Sequence, residues 1–348
     1  MPAHEPLTPR SKLLRLVAIA AALGAAGLAL VYAAGWLPST KLSPSTFVNT
    51  MQGGGIHEGF RRVHAKGLCV AGTFTSDGAL ATYSRAGLFG AGSVPVVGRL
   101  STGGGNPTAP DASAGVRSLA LQFNLPDGQQ WRTAMNTPPV LAVGTPEKFH
   151  QQLQALTPDP ATGKPDPARI GAFFAANPES AEFRAWQAAN VPSSSFATTR
   201  YHSINAFVLV AADGTRQAVR WAMVPQAVAE PLGEGPHERD SLQDEFTARL
   251  GSAPVRWAME FTLAGPDDVT ADASRSWPEP RQRIVAGVLE ITASSAQDGG
   301  ECNRINFDPL VLPGGIEASD DPILAARSAA YAESLHRRAR ETYREAAP

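Results

Sequence analysis

Residues 306–338 read NFDPLVLPGGIEASDDPILAARSAAYAESLHRR, and how the rest of the chain is interpreted depends on this stretch. From 321 to about 344 the pattern predicts one long helix. Within it Arg327, Tyr331, Ser334 and Arg338 recur at intervals of four, three and four, which puts all four on one helix face. Spacing alone leaves two readings open: a solvated polar face, or a face whose single tyrosine carries chemistry. A free phenol titrates at about 10, and a guanidinium one turn away favours its charged form.

Ahead of the helix, Phe307, Asp308, Pro309, Pro313, Gly315, Ile316 and Glu317 stand in fixed order before Arg327 and Tyr331. In order and spacing this run resembles the C-terminal part of the catalase haem domain. The resemblance implies an α+β fold, an antiparallel β-barrel haem domain with flanking helices. It also implies haem b as cofactor, with Tyr331 as the axial ligand to its iron. Arg327 would favour the phenolate, and Arg338 would pair with a haem propionate through its planar fork. Catalases follow their tyrosine with proline, aspartate and threonine, whereas here Ala332, Glu333 and Ser334 follow, so contacts around the ligand differ. The chain is too short for the wrapping segment and C-terminal helical region of full-length catalases, and in this it resembles the small catalase-related peroxidases.

A second motif supplies the opposite wall. Residues 60–67, FRRVHAKG, resemble the catalase distal segment, in which an arginine lies three residues before the essential histidine. Arg61, Val63 and His64 carry that match. Histidine suits peroxide cleavage because its ordinary pKa is near neutrality, so one group can accept a proton and return it. By the same resemblance, within 83–102 (YSRAGLFGAGSVPVVGRLST), Ser101 would orient His64, while Arg99 and Arg61 would meet propionates. Ordinary ion pairs are the alternative for both arginines. The catalytic asparagine of catalases aligns with Met135 in MNTP, residues 135–138, and a slip of one residue would give Asn136 the role. Gly115 stands where catalases carry a channel aspartate, with Asp111 close by. His57, His202 and His336 lack such context and read as structural.

Strand-like runs at 67–74, 94–101, 118–123, 206–210, 218–223, 255–261 and 284–292 cluster rather than alternate with helices. Helical windows fall at 146–156, 168–177, 181–189 and 241–250, and ADGTRQ at 212–217 predicts a hairpin. Clustering argues for an antiparallel sheet or barrel over a doubly wound fold.

Arg10, Lys12 and Arg15 precede an apolar run at 16–36, about long enough to span a bilayer. Residues 1–36 therefore read as a signal anchor, or as a signal peptide cut near the small residues Ala33 and Ala34; 37–45 form a tether and 46–348 the haem peroxidase domain. Charge placement predicts a domain exported to the periplasmic side, tethered to the inner membrane. The net charge of −2 argues against nucleic-acid binding. Two cysteines, Cys69 and Cys302, are too few for a disulfide scaffold and read as buried unpaired thiols, although export would permit pairing. The expected activity is reduction of hydrogen peroxide or small organic peroxides by an external donor, with weak catalase activity, from a monomer or small homo-oligomer. A lipid hydroperoxide isomerase and a non-catalytic haem-binding protein are the alternatives.

Overall fold

In the computed structural model, residues 8–33, 42–159 and 161–346 are described. Helix α1 (Pro9–Ala33) forms a unit of its own; residues 9–32 have a mean hydropathy of 2.2, and the helix is long and apolar enough to cross a membrane. The expected cleavage position at Ala34 and the tether residues 37–41 lie outside the described residues.

The folded unit begins with helix α2 (Pro44–Met51). Four antiparallel strands follow, β1 (Gly67–Ser76), β2 (Gly92–Thr102), β3 (Arg117–Asn124) and β4 (Gln130–Asn136), each paired with the next. Helices α3 (Pro146–Leu156), α4 (Pro167–Ala176) and α5 (Ala181–Ala189) then leave the sheet. The chain returns through β5 (Tyr201–His202), β6 (Phe207–Val210) and β7 (Arg216–Pro225). After α6 (Ser241–Ser252) come β8 (Val255–Leu263) and β9 (Arg283–Ala296), then the short α7 (Glu301–Arg304), β10 (Ile316–Ala318) and the long α8 (Pro322–Ala346).

Strand β7 pairs with β5 on one edge and with β8 on the other, which closes an eight-stranded antiparallel barrel among the described residues; β6 and β10 extend from β7. Closure removes the free edges an open sheet would present. Alternation fills the barrel: Phe74, Phe89, Phe123, Trp131 and Phe261 are fully buried, and Phe123 stacks on Trp131 at 5.0 Å. Leu100, Leu119 and Met135 are also fully buried in this core. Their neighbours Ser101, Ser118 and Asn136 therefore point to the outer face, where the site is built.

The expected strands and long helix are all present, and the expected hairpin turns at Gly214, where φ is +87°. Strand β4 escaped the sequence reading because QWRTAMN offers only Trp131 and Met135 as large apolar residues, and their burial depends on the partner strand. The cysteines differ from expectation: Cys69 on β1 and Cys302 on α7 form a disulfide, with Cα atoms 5.4 Å apart across 233 residues. Gly300 makes the approach possible, since a Cβ there would stand 2.7 Å from the Cys69 sulfur.

Candidate active site

Helix α8 packs on α2 and α3, and a cavity lies between this helical layer and the barrel wall. Its expected polar face lines that cavity: Arg327, Tyr331, Ser334 and Arg338 all border it. Across from them stand Arg61, Val63, His64 and Asn136, and Phe47, Met51, Leu141 and Phe149 supply apolar wall. Two sequence segments nearly 270 residues apart thus face each other as the motifs imply.

His64 holds an uncommon backbone, with φ at +57° in the left-handed region. A non-glycine residue held there marks a conformation maintained by its surroundings, and such positions cluster at functional sites. Burial, then the charge of Arg99, pushes its imidazole down to about 4, with a backbone hydrogen bond at Thr102 acting in the opposite direction. The ring is therefore neutral at physiological pH and free to act as a base.

The Nδ1 atom of His64 lies 3.2 Å from the Ser118 hydroxyl. Ser101, the expected partner, sits on β2 opposite both Gly67 of β1 and Ser118 of β3. The histidine ring reaches one strand further than expected, so the contact falls to Ser118. Ser118 in turn donates to Asn136 Oδ1. Asn136 faces the cavity and Met135 the core, so the phase of β4 settles which of the two stands at the site. Asp111 is withdrawn from it: fully buried, it pairs with Lys66 at 2.9 Å and accepts backbone N–H groups from Leu242 and Gln243.

The four arginines named from sequence converge on the site without a carboxylate partner among the described residues. Arg99 and Arg338 are buried and Arg61 is half-buried. Arg61 donates to the carbonyls of Cys302 (3.0 Å) and Ile305 (2.9 Å) and to Asn303 Oδ1. Arg99 reaches Ala65 O and Gln297 Oε1, and Arg338 reaches Asn303 O. Gly67 admits the Arg99 guanidinium, which a Cβ would approach to 2.6 Å. Burial followed by the Arg338 charge lowers Arg61 to about 9, and burial followed by the Arg61 charge lowers Arg99 well below its usual value. The Nε atoms of Arg99 and Arg338 have no hydrogen-bond partner among the described residues. Buried like charges with unfilled donors are costly unless an anion joins them, so the cluster suits a ligand bearing carboxylates. Arg327 is turned instead toward Asn205 Oδ1 and the Ala134 carbonyl.

Sequence reasoning missed Ser118 and the apolar wall from α2. Nothing local to RSLALQ marks Ser118, because its contact depends on strand register and on the His64 backbone.

A closed antiparallel barrel with a histidine wall and a tyrosine-bearing helix on its outer face is the architecture of the catalase fold. The chain belongs to the catalase family, whose sequence model matches residues 56–346. It is 38% identical over 328 residues to a catalase-related peroxidase of Synechococcus elongatus, covering 93% of this chain and 96% of that one. A catalase-related peroxidase of Mycolicibacterium paratuberculosis is 36% identical over 299 residues, covering 84% and 94%. Among solved structures, a bacterial catalase superposes with a TM-score of 0.73 at 19% identity, covering 81% of this chain and 58% of its own. Catalase A of Saccharomyces cerevisiae gives 0.73 at 18%, with 81% and 62% covered. This chain thus spans less than two thirds of the two full catalases.

Proposed function

We propose that this protein is a haem b-dependent peroxidase that reduces hydrogen peroxide or small organic peroxides at the expense of an external donor. The observation that carries the reading is the trio of guanidiniums Arg61, Arg99 and Arg338, without a carboxylate partner among the described residues, grouped close to a neutral His64 and to Tyr331. A macrocycle with two propionates matches that charge. Tyr331 and His64 both line the cavity, one as the residue that would hold the iron and the other as the group that would move a proton. Tyr331 would hold the iron through its phenolate oxygen, and Arg61, Arg99 and Arg338 would receive the propionates. When bound, haem supplies the two-electron oxidising chemistry.

His64 would take a proton from one peroxide oxygen and deliver it to the other, which leaves as water. Asn136 would offer a hydrogen bond to the bound peroxide. Gly115 stands in sequence where catalases carry a channel aspartate, a replacement that would favour turnover with a donor over release of oxygen. The disulfide and the N-terminal apolar helix support export to the periplasmic face with α1 as membrane anchor. Absorption spectra before and after stoichiometric hydrogen peroxide test the reading. The wild type should show a high-spin haem band that peroxide converts, Tyr331→Phe should lose the resting band, and His64→Ala should lose the conversion. A protein that takes up no haem when supplied with it overturns the assignment.

A further inference from the structure

We infer that Ser118 is the residue that positions His64 for peroxide chemistry, by fixing which ring nitrogen carries the proton. The inference rests on the peroxidase reading above. Its basis is a row of side chains running across the barrel wall. Ser101, Ser118, Asn136 and His202 occupy successive register positions on β2, β3, β4 and β5, so they share one face of the sheet. Within the row, Ser118 holds two contacts, His64 Nδ1 at 3.2 Å and Asn136 Oδ1.

A serine hydroxyl has one hydrogen and two lone pairs. Its hydrogen goes to Asn136 Oδ1, which can only accept. Ser118 therefore turns a lone pair toward His64, and the imidazole hydrogen sits on Nδ1. Nε2 is left unprotonated, with its lone pair available to a peroxide proton. The hydroxyl thus acts on the tautomer of the base alongside the Thr102 backbone, which also hydrogen-bonds the imidazole, and it ties the base to Asn136 on the next strand. Ser118 is 7% exposed, so bulk water competes little for these bonds. It acts through His64 and touches no reacting atom, which makes it a positioning residue.

The test uses the full-length, haem-loaded protein and the near-isosteric pair Ser118→Thr and Ser118→Val, which differ in one hydroxyl. Two rates are read as a function of pH: reaction with hydrogen peroxide, and association of cyanide, whose neutral acid must surrender its proton to a base to bind. Ser118→Thr should stay within about threefold of wild type, while Ser118→Val should slow both rates about tenfold or more at unchanged haem content. Equal behaviour of the two variants, whether both react normally, both slow or both fail to hold haem, overturns the inference. So does a loss confined to Ser101→Ala. His64→Ala separates the two levels of argument: if it reacts like wild type, the peroxidase reading fails along with this one. If it is slow while Ser118→Val is normal, only the role of Ser118 falls.

Discussion

Glu341, near the end of α8, forms a buried ion pair with Arg62, the residue beside Arg61 in the histidine-bearing segment. Its second carboxylate oxygen accepts the Gly59 backbone N–H at 2.9 Å. Arg62 completes its shell with Gln52 and with the carbonyls of His57 and Phe60. One helix therefore contributes the tyrosine wall and also pins the segment that presents the opposite wall. Glu341→Gln keeps the shape and removes the charge, leaving a buried guanidinium unpaired. It should lower stability by about 3 kcal/mol, read as a shift in urea midpoint, and should release haem faster although Glu341 does not line the cavity.

Removing a positive charge from the guanidinium cluster should have opposite effects on the empty and the loaded protein. Arg338→Met preserves the packing of the stem and deletes an orphaned Nε together with a like charge. The cofactor-free protein should gain about 1 kcal/mol from relieved repulsion, while haem transfer to a scavenger apoprotein should be markedly faster. A loss of stability in the empty protein would show that the cluster is already neutralised without haem.

The depressed His64 makes the empty protein acid-sensitive in a defined window. Its folded value is about 4 against an ordinary 6.5, so between those values the unfolded chain binds the proton more readily. Stability is complete above 6.5 and declines as pH falls toward 4, by up to about 3 kcal/mol. His202, lowered to about 4 by burial and then by the Arg200 charge, contributes with the same sign. Urea titrations of cofactor-free protein at several pH values should show this slope, and His64→Gln should roughly halve it, with His202 supplying the remainder.

Reduction of the Cys69–Cys302 disulfide should cost stability and cofactor together. The bond closes a loop spanning 233 positions, for which chain entropy supplies about 5 kcal/mol. It also anchors α7, whose carbonyl at Cys302 and side chain at Asn303 hold the Arg61 guanidinium. Melting curves with and without reductant, beside Cys302→Ser, check the first effect. Haem retention under the same conditions checks the second, and retention unchanged in Cys302→Ser would separate the disulfide from the site.

Local pattern was enough to read the parts of this protein that are themselves local. The α8 face was legible because 3.6-residue periodicity fixes which side chains share a side, and the FRRVHAKG segment because the family motif is contiguous. Long hairpins such as β1–β2 were visible from their apolar runs. Contacts between distant strands were not. Whether Ser101 or Ser118 meets His64, and whether Met135 or Asn136 faces the cavity, are questions of register and phase. Each turns on a shift of one strand or one residue, and no local pattern encodes it. The disulfide was hidden for a related reason: sequence separation carries no information on whether two Cβ atoms approach.

The placement of Tyr331 on a helix that follows every strand among the described residues has a bearing on biogenesis. A chain emerging N-terminus first presents the histidine wall early, but the tyrosine wall, which in the proposed reading would hold the iron, appears only after the whole barrel has been synthesised. In that reading cofactor capture would be a late step in maturation. In the proposed topology that step takes place beyond the inner membrane, after translocation, where the Cys69–Cys302 bond also forms. The cell would have to supply haem on that side of the membrane, and the supply of cofactor, rather than the rate of synthesis, would set how much working protein accumulates.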